Sequence, residues 1–171
     1  MEFAPVLNYF AYLLPAIVVG VIAYYFFKGH TANEEGRRRY LIQKEAQAQV
    51  LPTRLQAYER MTLFLERIDP NRLLIRVKPF SDDVEKYEET LIKNIEQEFD
   101  HNLTQQIYLT PECWNLINAA KNATMQVVRQ TAMKAETADK LREAILNHFM
   151  GEVSPSQKAL MYVKKEVAEL F

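Results

Sequence analysis

Residues 3–27 read FAPVLNYFAYLLPAIVVGVIAYYFF, twenty-five positions without a charged side chain, set between Glu2 and Lys28. At ~1.5 Å per residue a helix over this stretch is roughly 37 Å long, enough to cross a ~30 Å hydrocarbon core with some tilt. Tyr9 and Tyr12 lie near one end and Tyr24 and Tyr25 near the other, where amphipathic rings favour the headgroup level. Pro15 and Gly20 are compatible with a spanning helix, because lipid offers its backbone no competing water. The stretch predicts a transmembrane anchor running from Phe3 through Tyr12, Pro15, Gly20 and Tyr24 to Phe27. A cleaved signal peptide would need a basic leader, and Lys28 is the first basic residue.

Charge asymmetry orients the anchor. Only Glu2 precedes the apolar run, whereas Lys28, Arg37, Arg38, Arg39 and Lys44 follow it, against Glu34 and Glu35. Basic residues close to a span are retained in the cytoplasm, which predicts the inner (cytoplasmic) membrane with the N-terminus outside and the body inside. Lys28 and Arg37–Arg39 are therefore candidates for topology and for contact with anionic headgroups. Beyond residue 44 the chain carries 16 basic and 19 acidic residues. That balance leaves no electrostatic footprint for nucleic acid. The single cysteine, Cys113, excludes an intrachain disulfide and fits a reducing compartment.

The rest of the chain reads as helices. Residues 29–36 are polar and are expected to form a connector. From Arg37 to Ile68 the residues Leu41, Lys44, Ala48, Leu51, Leu55, Tyr58, Thr62 and Leu65 recur at three- and four-residue steps, a seam that Lys44 and Thr62 weaken. Pro52 predicts a break into a juxtamembrane helix to about Leu51 and a second helix beyond it, a single kinked rod being the alternative. Asp69-Pro70 should stop the second helix and cap a short turn over Leu73–Ile75, unless those residues and Val77 form a brief strand. Ser81-Asp82-Asp83 should open a helix to about Gln105, with Val84, Tyr87, Leu91, Ile95 and Phe99 inward. Thr110-Pro111-Glu112, Thr137 and Ser154-Pro155-Ser156-Gln157 are further helix starts. The fold expected is all-α: a transmembrane helix (1–28), a juxtamembrane linker and helix (29–51) and an antiparallel helical bundle (52–171).

Signs of chemistry are few. The four glycines are scattered, so neither a phosphate-cradling loop nor a dinucleotide fingerprint can be built in the usual way. His30, His101 and His148 show no metal-ligand spacing, and no cofactor or small-molecule substrate is implied. Cys113 reads as a small buried residue rather than a reactive thiol, and Trp114 as a core or interface anchor. The pair Leu170 and Phe171 must be buried by the domain or by a partner.

The segment LPTRLQAYERMTLFLERI (51–68), with the preceding anchor and YLTPECW (108–114), resembles a family of uncharacterised single-pass bacterial membrane proteins. The resemblance implies an N-terminal anchor and a helical cytoplasmic domain, and it brings no activity or site residue. The function expected is that of a non-enzymatic scaffold or accessory subunit of an inner-membrane complex, in contact with lipid and with one or more protein subunits. Trp114, Leu170 and Phe171 are the partner-binding candidates. The alternative is a membrane-tethered factor that binds a ribosome or other nucleic-acid assembly through Arg37–Arg39, helped by Arg72, Arg76 and Lys78.

Overall fold

The computed structural model describes the backbone of residues 4–170. Helices α1 (Ala4–Ile68), α2 (Pro70–Arg76), α3 (Val84–Asp100), α4 (Pro111–Ala132), α5 (Ala138–His148) and α6 (Pro155–Ala168) follow one another, with a 3₁₀ turn at Leu103–Tyr108. No strand occurs among the described residues, so the fold is all-α and Leu73–Val77 is not a strand. The chain divides into two units, residues 1–50 and 51–171.

In the first unit α1 is helical through residues 29–36, where a connector was expected. Two glycines at ~1 kcal/mol each do not stop a helix already under way. Glu34 and Glu35 precede Arg38 and Arg39 by four positions, the favourable order along a helix. The expected break at Pro52 is also absent. Proline removes one donor and leaves the carbonyl four residues earlier without its bond. Here Ala48 and Pro52 are both exposed, so water can take that carbonyl.

The second unit closes around a core built from every one of its helices. Tyr58, Met61, Phe64, Leu65 and Ile68 of α1 are at most 2% exposed. Leu73 and Leu74 of α2, Tyr87, Leu91 and Ile95 of α3, Ile117 and Val128 of α4, Leu141 and Ile145 of α5, and Val163 of α6 join them. Four helix starts carry the caps expected. Asp69 accepts from Asn71 N–H at 3.2 Å, and Thr110 from Cys113 N–H at 3.2 Å. Thr137 likewise accepts from Lys140 N–H at 3.2 Å, and Ser154 from Gln157 N–H at 3.2 Å.

The α3 boundaries differ from expectation. Asp83, not Ser81, is the cap, and its carboxylate accepts from Lys86 N–H at 3.1 Å. The Asp82 carbonyl is drawn away to accept from Ala138 N–H at 3.2 Å, which ties this corner to the start of α5. At the other end Asn102 Nδ2 donates to the Glu98 carbonyl at 2.8 Å. A side chain thereby takes a last-turn acceptor, and the helix ends at Asp100 instead of near Gln105.

Candidate functional site

The first candidate surface is the apolar part of α1. From Tyr12 to Phe27 the large side chains are exposed, among them Tyr12 at 81%, Val19 at 66% and Phe27 at 65%. Pro15 and Gly20 lie in the helix in the same exposed stretch, and Gly20 has no neighbour within 4 Å of where a Cβ would stand. Phe3 lies outside the described residues. By length and composition this is a helix able to cross a membrane. Its C-terminal end is aromatic: Tyr24 and Tyr25 meet edge-on at 5.6 Å, and Phe26 stacks on His30 at 6.1 Å. The Lys28 ammonium reaches back over the Tyr24 ring at 5.8 Å. Arg37, Arg38 and Arg39 follow, all exposed, with Arg37 3.9 Å from Glu34.

A second candidate surface is the groove between α1 and α6, about 530 Å³ in volume. Leu55, Leu63, Val163 and Val167 supply apolar walls, with Glu59, Glu66, Arg72 and Lys164 among the charged lining residues. Arg72 is held by Glu66 at 3.0 Å, and Arg76 by Glu98 at 2.8 Å. Glu98 also binds Arg67 at 2.9 Å. Two of the three cations assigned to an auxiliary basic patch are therefore committed to carboxylates.

Trp114 lies at the first turn of α4, and the fold builds it into an aromatic stack. Half-buried, it packs on Phe99 at 5.2 Å with the planes 26° apart. Phe99 in turn meets Phe64 at 5.6 Å, and Lys121 Nζ sits 4.1 Å over the Phe99 ring. Leu170 is half-buried against the same core. Phe171 lies outside the described residues.

Sequence reading missed two buried polar sites. Asp69 Oδ2 accepts from Ser154 Oγ at 2.7 Å and from Ser156 Oγ at 3.0 Å, which joins the caps of α2 and α6. Deeper in, the Tyr58 hydroxyl donates to Glu166 Oε1 at 2.9 Å. Arg54 stands behind it, its Nη2 donating to that hydroxyl at 3.4 Å and its Nε to the Tyr108 carbonyl at 3.3 Å. Burial, helped by Glu166, pushes the Tyr58 pKa up to about 12. Cys113 lies beside the same carboxyl with no exposed surface, and burial, then Glu166, pushes its thiol up to about 12. The usual pKa-lowering effect of a helix N-terminus is overridden, and the thiol stays protonated. The available signal was position: Ala159, Val163 and Glu166 step along α6 by four and three, with Leu170 four further on just past its end, so a glutamate occupies a core register.

Among the described residues no group of three or more histidines, cysteines and acids gathers where a metal could be held. The arrangement offers an apolar rod, an apolar groove and a sealed polar network. No curated protein and no solved structure matches the chain. A family profile does, over residues 4–170, so the match takes in the apolar helix and the bundle alike. The chain belongs to the family of unknown function DUF7935.

Proposed function

We propose that this protein is a membrane-anchored, non-enzymatic scaffold or accessory subunit of an inner-membrane complex, with its helical domain in the cytoplasm. The carrying observation is the exposed run from Tyr12 to Phe27, whose large side chains are about half exposed or more. A contiguous apolar surface of this extent calls for lipid or another protein. The aromatic end at Tyr24–Phe27, followed by Lys28 and then Arg37–Arg39, supports the cytoplasmic placement of the domain. The groove between α1 and α6 supplies an apolar surface for a protein partner, and Trp114 and Leu170, half-buried against the domain's own core, are further candidates.

Co-purification of the full chain from mild detergent, followed by mass spectrometry, tests the reading. A partner should survive simultaneous Ala substitution of Arg37, Arg38 and Arg39 and should be lost on removal of Leu170 and Phe171. Interface anchors of this kind cost ~2 kcal/mol or more, about thirtyfold in affinity. Loss of capture by the triple substitution alone, with steep salt dependence, would replace the protein partner with a nucleic-acid or lipid one. For orientation, a cysteine placed near Glu2 in a Cys113→Ser background should react with an impermeant maleimide on spheroplasts, and one near Gly36 should not.

A further inference from the structure

Helix α6 is held by polar contacts near its two ends. At its start, Ser154 and Ser156 bind Asp69; near its end, Glu166 accepts from Tyr58. Ala159, Leu160 and Val163 pack between them. The two attachments are not equivalent. The Asp69 carboxylate receives both serine hydroxyls through Oδ2 and the Asn71 N–H through Oδ1. Glu166 is 8% exposed, and its Oε2 is buried without a hydrogen-bond partner, alone in this among the described side chains. Its remaining neighbour is the Cys113 thiol, a weak hydrogen-bonding group, so this oxygen is poorly compensated for the water it gives up on burial. An apolar side chain of similar volume at such a place is often neutral or stabilising.

We propose that α6 is a detachable strap, which Glu166 predisposes to lift from α1 and α4 ahead of global unfolding. Lifting returns the Glu166 carboxyl and the Tyr58 hydroxyl to water, which removes the penalty. Lifting is opposed by the apolar side chains Ala159, Leu160 and Val163, which leave the core, whereas Thr124 of α4 keeps its bond to the Ala120 carbonyl of its own helix, 2.9 Å away. The hinge is at hand: Met150–Val153 are exposed, and Gly151 holds φ +85°. Cys113 lies beside Glu166 and Tyr162 of α6, so lifting α6 uncovers that side of the thiol.

Cys113 is the single cysteine and reports the motion. The full chain in mild detergent is treated with an aromatic disulfide reagent, and the labelling rate is followed at low, sub-denaturing urea. Labelling should proceed with a shallow urea dependence, far below that of global unfolding. Glu166→Met should slow it at least tenfold, and Glu166→Leu should do the same if methionine packs poorly. Ser156→Ala, which loosens the other end, should accelerate it. Labelling that tracks the global unfolding transition overturns the strap. So do Met and Leu variants that label as fast as the parent or faster, or that both fail to fold, since the carboxyl would then be a net tie.

Discussion

Two parts of one helix put the same residue types in opposite environments. Tyr24 and Phe26 in the first unit are 61% and 67% exposed, whereas Tyr58 and Phe64 in the second are 2% and 0%. Around Tyr58 and Phe64 the apolar positions recur on one face with charged residues between them, as in a helix that packs on one side and meets water on the other. Around Tyr24 and Phe26 there is no polar face, and every direction from the axis is apolar. A helix hydrophobic all round belongs in a large core or in lipid. No core surrounds this one in the first unit, so lipid is the environment we propose.

The contrast implies very different sensitivities. The largest effect should come from Leu91→Asp, because Leu91 has no exposed surface and an unpaired charge there should destabilise the domain by several kcal/mol. Chemical denaturation of the domain should register that loss, while Glu96→Lys on the exposed side of α3 should leave the curve nearly unchanged.

A more gradual effect is expected from alkali. Tyr58 and Cys113 titrate from ordinary values of 10.0 and 9.0 in the unfolded chain and at about 12 in the folded one. Each group thus keeps its proton longer when folded. Its stabilisation is complete below the unfolded value and is lost as pH climbs toward the folded one. Within that window each group costs up to ~1.4 kcal/mol per pH unit. The melting temperature should fall between about pH 9 and 12, less steeply in Cys113→Ser and in Tyr58→Phe. An unaltered slope in both variants would contradict the buried network.

Smallest is the effect of Gly151→Ala. A Cβ there meets nothing within 4 Å, so only the positive φ of +85° opposes it. The expected cost is ~1–2 kcal/mol, read as a modest drop in melting temperature.

What the sequence made legible follows from how local each cause is. Caps at Asp69, Thr110, Thr137 and Ser154 are fixed within a few residues, by a short acceptor with a proline or acid behind it, and they lie where expected. The stripe Tyr87, Leu91, Ile95 and Phe99 is likewise a property of one helix. Pro52 misled because its cost depends on whether the orphaned carbonyl meets water, which local rules do not state. Ser81 misled because Asp82 is engaged by Ala138, 56 positions away. Glu166 was legible only as a glutamate in a core register, because its acceptor role depends on Tyr58, 108 positions earlier. Trp114 was readable as an anchor, but its stack on Phe99 needed the packing of α3 on α4.

The central claim is that the exposed apolar run of α1 is solvated by lipid, and alkaline carbonate extraction tests it most directly. Membranes from cells producing the full chain, or residues 51–171 alone, are washed at high pH and sedimented. The full chain should remain in the pellet and leave it only with detergent, while residues 51–171 should be recovered in the supernatant. Release of the full chain by carbonate, without detergent, would contradict the account.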